Sequence, residues 1–145
     1  MEVRLSKEQF EVLLKAVYLG DWMVNANRVP GEYLQEFVEL EQQLLYLAQK
    51  AGFTRIVEFD PTLSRFFHTS EFDEALQPFI EEYDDIAFWD GLVDRMADRD
   101  FEETYGDAAA RMPPDDRFNK YGVCVDKYES EIETHGIDRL RIAEA

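Results

Sequence analysis

The chain is 145 residues long, a length typical of one domain, and its 46% hydrophobic and 14% aromatic content indicates a folded core. Its net charge of −17 disfavours nucleic acid and anionic membranes as targets, because like charges repel. No stretch approaches the roughly 18 consecutive apolar residues of a membrane span, and the N-terminus does not resemble a signal peptide. With its single cysteine, the sequence predicts one cytoplasmic domain over residues 1–145.

The first third of the chain predicts two long helices. Ser6 and Gln9 form a capping-box pattern, after which apolar residues recur at helical spacing as far as Asn25. The second helix carries an apolar face that begins at Leu34, and Gly52 is placed to end it in a left-handed conformation. A short loop joins the two, so we expect an antiparallel helical hairpin.

The middle of the chain predicts an irregular segment followed by two further helices. Residues 54–69 show no sustained period and are expected to be irregular. Ser70 is placed to cap a third helix, which Pro78 is expected to kink or split. Asp84 or Asp85 then caps a fourth helix.

The fourth helix is expected to bury one apolar face against the core. The predicted buried set is Phe88 or Trp89 together with Leu92, Val93 and Met96. The acidic residues on its other faces are expected to stay in solvent; they are Asp90, Asp94 and Asp98.

The last part of the chain predicts a fifth helix between Pro114 and Gly136, because proline suits a first turn and glycine ends a helix. Its residues expected to face the core are Phe118, Tyr121, Val125 and Ile132. Cys124 lies beside Val125 and is expected to be a packed, unreactive side chain.

Short alternating segments at both ends of the chain predict a small two-stranded sheet that joins the termini. The apolar members of these segments are Val3, Leu5, Leu140 and Ile142. The alternative is that both ends fray. The fold class predicted from all these elements is mainly α, an irregular bundle of about five helices with this short sheet.

An acidic segment, residues 71–107, is the strongest functional signal. It holds fourteen acidic and only two basic side chains, so its net charge is −12. Such a density of charge attracts basic proteins, and Trp89 within it is a residue type that anchors interfaces. The predicted partner-binding residues are Glu81, Glu82, Asp84, Asp85, Trp89, Asp90 and Asp94. The alternative is that the segment only confers solubility.

Motifs for catalysis, metals and cofactors do not emerge from the sequence. Asp98, Asp100 and Glu102 alternate as at the start of an EF-hand loop, but Glu103 occupies the sixth position, which requires glycine. Glycine-rich phosphate loops are absent as well. We therefore predict no catalytic residue, no metal ligand and no cofactor.

A resemblance to known sequences rests on residues 82–100, EYDDIAFWDGLVDRMADRD. This stretch resembles a motif in uncharacterised small acidic bacterial proteins. The N-terminal KEQFEVLLKAVYLGDWMVNA and the Gly136-Ile137 tail are similar in style to the same proteins. The resemblance implies a bacterial, cytoplasmic, single-domain protein and carries no activity, cofactor or functional residue.

Three functions remain open from the sequence. The leading one is a non-enzymatic interaction protein that presents an acidic face to a basic protein partner. The alternative is an enzyme, or a protein that binds a small ligand or cation in a pocket between helices, for which a pocket carboxylate of raised pKa would be the sign. A self-associating protein, a homo-oligomer, is the third, and an exposed apolar patch would favour it.

Overall fold

The computed structural model describes residues 2–141, and it is 71% helical. Its elements in chain order are α1 (Lys7–Asn25), α2 (Gln35–Lys50), β1 (Val57–Asp60), β2 (Arg65–His68), α3 (Ser70–Tyr105), a 3-10 helix (Gly106–Arg111) and α4 (Pro114–His135). The mainly α prediction is confirmed, with four α-helices in the described residues where about five were expected. None of these helices is both long and apolar enough to cross a membrane.

The chain divides into two compact units at the bond between Glu82 and Tyr83. The first unit holds α1, α2, the two strands and the beginning of α3, and the second holds the rest of α3, the 3-10 helix and α4. That residues 1–145 fold as a single domain stays a prediction.

Local capping signals set the ends of the first two helices. The Ser6 hydroxyl accepts a hydrogen bond from the Gln9 backbone, and the Gln9 side chain accepts one from the Ser6 backbone. Gly52 adopts a φ of +84°, which other residues avoid, and the Phe53 N–H then donates to the Ala48 carbonyl at 3.0 Å. Both ends are therefore as the sequence predicts.

The expectation that residues 54–69 are irregular is wrong, because β1 and β2 pair there as an antiparallel hairpin. The Asp60 carboxylate builds the turn by accepting hydrogen bonds from the N–H groups of Thr62 at 2.7 Å and Leu63 at 3.1 Å. Each strand is only four residues long, too short for its alternation to stand out in the sequence.

The core of the first unit is formed by α1, α2, the hairpin region and the first turns of α3. Its buried residues are Leu14, Leu45, Ala48, Ile56, Val57, Phe72 and Leu76. The segment between α2 and α3 thus belongs to the core and holds these helices together.

The predicted split of the helix at Pro78 is wrong, since α3 runs without interruption over 36 residues and no new helix begins at Asp84 or Asp85. That the proline kinks α3 stays a prediction. Leu76 and Ile80 are buried on either side of the proline, and their packing offsets the backbone hydrogen bond that it cannot make. The hydroxyl of Thr69, not Ser70, caps the helix by accepting from the Phe72 N–H at 3.3 Å.

The continuity of α3 leads to a first prediction. Pro78→Ala should raise the free energy of unfolding by about 2 kcal/mol. A proline inside a helix destabilises the folded state by about 3 kcal/mol, whereas its restriction of the unfolded chain stabilises the protein by up to about 1 kcal/mol. Urea unfolding followed by circular dichroism measures the change. If the helix ended at Pro78, the alanine substitution would instead lower the free energy of unfolding.

The core of the second unit lies between α3 and α4. Val93, Ala97 and Tyr128 are buried there, with Met96, Tyr121, Cys124, Val125 and Ile132 packed against them. The acidic residues predicted to stay in solvent, namely Asp90, Asp94 and Asp98, are exposed. The face prediction for this part of α3 therefore holds, except that Phe88 is exposed and that Trp89, Leu92 and Met96 are only half-buried.

One residue of α4 departs from the expected core face. Phe118 is 78% exposed, although its spacing places it on the apolar stripe. A buried ring in this unit, Phe101, packs against Tyr105 and Tyr121 and lies 6.0 Å from the Arg117 guanidinium, not against Phe118. Spacing predicts a face, but burial also needs a partner, and none of the described residues covers Phe118.

The predicted sheet between the termini is wrong for the described residues. Neither residues 2–5 nor residues 137–141 form a strand, and Ile142 lies outside the described part. Their charged side chains pair locally instead, Arg4 with Glu2 and Arg139 with Glu131, each at 3.2 Å. Two short alternating runs are too little to form a sheet by themselves.

Candidate functional site

All of the predicted partner-binding residues lie on α3. Glu81 and Glu82 end the first unit, and the others belong to the second. Every one of the acidic side chains is exposed, whereas Trp89 is half-buried; the acidic ones are Glu81, Glu82, Asp84, Asp85, Asp90 and Asp94. The carboxylates are thus available to solvent, as their charge requires.

Apolar side chains stand among the carboxylates in the second unit. Tyr83, Ile86 and Phe88 are each more than half exposed. The Trp89 indole N–H donates to the Asp85 carboxylate at 3.0 Å, one helical turn away, and the Trp89 ring meets Phe88 edge to face. We call this part of α3, residues 83–94, the acidic surface. It offers both charge and apolar area to a partner.

Asp100 lies further along α3 and has a different, structural role. Its carboxylate accepts hydrogen bonds from the Tyr128 hydroxyl at 2.5 Å, from Lys127 at 2.6 Å and from Arg99 at 2.8 Å. These donors hold the pKa of Asp100 well below its usual range. The network joins α3 to α4 inside the second unit and leaves the acidic surface unaffected.

A cleft in the first unit was not predicted from the sequence. It has a volume of about 370 Å³ and lies between α1, α2 and the start of β2. Its principal lining residues, which define the first-unit cleft, are Tyr18, Asp21, Trp22, Tyr33, Glu41 and Arg65. This volume is within the range of small-molecule sites, roughly 300–1,000 Å³.

Asn25 fixes one wall of the first-unit cleft. It is only 7% exposed, and its amide nitrogen donates to the Asp21 carboxylate at 2.8 Å. Its amide oxygen accepts from the Leu34 N–H, also at 2.8 Å, just before α2 begins. A single buried amide therefore orients the Asp21 carboxylate and ties the end of α1 to the start of α2.

Glu41 has the most perturbed carboxyl group of the cleft. Its burial raises its pKa to about 7, and the negative charges of Asp21 and Asp73 act in the same direction. The positive charge of Arg65 opposes them and does not outweigh them. Near neutral pH this carboxyl group is therefore divided between its protonated and ionised forms.

His68 lies next to Glu41, with its Nδ1 atom 3.8 Å from the Glu41 carboxylate. Burial lowers the pKa of His68 to about 4, because its ring stacks on Phe72 and meets Tyr18 edge to face. The imidazole is hence neutral at pH 7, and the pair is not a salt bridge there.

Asp73 is a further perturbed carboxyl group, and its negative charge acts on Glu41. Burial raises its pKa, and its Oδ1 atom is buried without a hydrogen-bond partner among the described residues. Within the same part of the chain, no group of three or more His, Cys, Asp or Glu side chains is arranged to hold a metal ion.

Comparisons of the chain with family models, with curated proteins and with solved structures found no match. The resemblance to uncharacterised small acidic bacterial proteins accordingly stays a prediction.

Proposed function

We propose that the protein is a non-enzymatic interaction protein whose acidic surface binds a basic protein partner. The observation that carries the proposal is the exposure of the predicted carboxylates together with apolar side chains on the same helix. Among the residues that the structure describes, Asp84, Asp90 and Asp94 make no ion pair. Their charge is therefore free for an incoming cationic surface.

The two components of the acidic surface would act differently in binding. Exposed ion pairs contribute only about 0.2–1 kcal/mol each, so the carboxylates would chiefly speed association and select a basic partner. Desolvation of Tyr83, Ile86 and Phe88 would supply most of the affinity, since aromatic and large apolar side chains dominate interface energetics. A nucleic acid would meet only repulsion here.

Charge neutralisation on the acidic surface tests the proposal. In the binding variant the four substitutions are Asp84→Asn, Asp85→Asn, Asp90→Asn and Asp94→Asn. A control variant loses the same charge at exposed positions on α4 through Asp116→Asn, Asp126→Asn, Glu129→Gln and Glu133→Gln. Each chain is immobilised and offered an extract of the source cell in about 0.05 M and about 0.5 M salt.

We expect the wild-type chain and the control variant to retain the same basic protein at low salt and to retain less of it at high salt, because salt screens only the charge contribution. At low salt the binding variant should retain less of this protein than the control variant does, and high salt should reduce its retention little further. Equal retention by the two variants would contradict a role for the acidic surface, because net charge alone would then explain the capture.

Binding of a small ligand in the first-unit cleft is a second candidate function, favoured by a separate observation. A carboxyl group whose pKa is raised to about 7 lines a cleft of suitable volume, and such groups are common at functional sites. Among the described residues around Glu41, no nucleophile is hydrogen-bonded to a base, so we propose binding and not catalysis.

A further inference from the structure

We propose that the first-unit cleft binds a small organic cation, a primary amine or a guanidinium compound, between its two carboxylates and its aromatic rings. The proposal rests on the second candidate function, small-ligand binding, and names its ligand class. It does not depend on the acidic surface of the second unit.

The carboxylates give the cleft its preference for positive charge. Asp21 reaches it from α1 and Glu41 from α2, and the two are close enough for the charge of Asp21 to act on Glu41. A cation between these helices would relieve their repulsion and replace part of the hydration that Glu41 loses by burial. An anion would add to the repulsion.

The aromatic rings supply the second element of cation recognition. Tyr18 and Trp22 lie one turn apart on α1, and Tyr33 follows in the loop before α2. Faces of such rings attract ammonium and guanidinium groups, by about 0.5–2 kcal/mol according to how dry the site is. Carboxylates beside aromatic rings therefore select an organic cation over a metal ion.

Among the described residues, Arg65 is the one cationic side chain that lines the cleft. It is exposed to solvent, whereas Glu41 is largely buried, so its charge is screened more effectively. With both carboxylates ionised the lining keeps a net charge of −1, from two acids and one base. The balance thus still favours a monovalent cation.

Ligand binding of this kind is coupled to the protonation of Glu41. The charged and titratable groups that face it are Tyr18 and Asp21 from α1, Arg65 and His68 from β2 and Asp73 from α3. Burial raises the pKa of Tyr18, so its hydroxyl stays protonated near neutrality. His68 stays neutral above about pH 4, so Glu41 is the group that changes charge near neutrality. A cation prefers the ionised form, so its affinity should rise about tenfold from pH 6 to pH 8.

Fluorescence of Trp22 offers a direct measurement. The chain has a second tryptophan, Trp89, and Trp89→Phe removes its signal without touching the first unit. The probes are n-butylamine and n-butylguanidine as monovalent cations, butyrate as an anion and n-butanol as a neutral compound of similar size. Each is titrated at about pH 6 and about pH 8.

We expect saturable changes with the two cations, about tenfold tighter at pH 8 than at pH 6, and none with butyrate or n-butanol. Glu41→Gln keeps the shape of the cleft and should weaken cation binding by more than about tenfold at pH 8 while removing its pH dependence. Glu39→Gln, at an exposed position of the same helix, is the matched control and should bind as the wild type does.

The failure of cation binding can be distinguished from the failure of small-ligand binding in the first-unit cleft. Saturation by butyrate or n-butanol without saturation by the two cations would overturn the cation proposal but would still support small-ligand binding. No saturation by any of the four probes would overturn both. Equal cation affinities in the Glu41→Gln and Glu39→Gln variants would also overturn the proposal. If circular dichroism shows that Glu41→Gln is unfolded, Asp21→Asn takes its place in this comparison.

Discussion

Leu76→Ala is expected to lower the free energy of unfolding by about 3–5 kcal/mol, the largest effect of any single substitution proposed here. Leu76 is only 1% exposed and packs in the core of the first unit, where the start of α3 meets the other elements. Its truncation removes buried apolar surface and leaves a cavity that the rigid neighbours fill only in part. Urea unfolding followed by circular dichroism measures the loss.

Leu40→Ala is the matched control, because the same atoms are removed from an α2 side chain that is 46% exposed. We expect it to change stability by no more than about 0.5–1 kcal/mol. Equal losses in the two variants would contradict the assignment of the core. Phe118→Ala should be similarly mild, and a large loss there would mean that self-association covers this exposed ring.

Helix ends were the features that could be predicted best from the sequence. The capping box of Ser6 and Gln9 and the left-handed Gly52 depend on a few neighbouring residues, so their signals are fully local. The same holds for Pro114 in the first turn of α4 and for Gly136 after its last. Such features need no knowledge of tertiary contacts.

Errors arose where tertiary packing outweighs a local signal. Pro78 and the cap residues Asp84 and Asp85 all indicate a helix boundary, yet burial of Leu76 and Ile80 carries α3 through the proline. The hairpin was missed because its strands are too short to give a local signal. Part of its support comes from α2, where the Gln42 side chain accepts a hydrogen bond from the Phe66 N–H at 3.1 Å and donates one to the Phe66 carbonyl at 2.9 Å.

The exposed carboxylates of the acidic surface were predicted correctly because charge alone keeps them in water. The first-unit cleft was missed, although α2 carries a signal for it. Glu41 lies three residues after Val38 and four before Leu45, on the helical face that points inward. An acidic residue on an apolar face is a specific sign of a buried carboxyl group, whereas an acidic residue among other acids is not.

Glu41→Gln is expected to stabilise the protein at alkaline pH and to leave its stability unchanged at acidic pH. In the folded protein the pKa of Glu41 is raised from 4.5 to about 7, so the folded state holds its proton more tightly than the unfolded state does. The contribution of Glu41 to wild-type stability should therefore fall as the pH rises from about 4.5 to about 7. A shift of this size corresponds to at most about 3 kcal/mol.

The difference in unfolding free energy between Glu41→Gln and the wild type isolates this contribution. His68 has the opposite effect, since its lowered pKa makes stability rise with pH between about 4 and about 6.5, and it is present in both proteins. The difference should thus be near zero at pH 4.5 and reach about 2–3 kcal/mol at pH 8, with Glu39→Gln showing no such trend. A difference that does not vary with pH would mean that Glu41 ionises normally, and cation binding in the first-unit cleft would then lose its expected pH dependence.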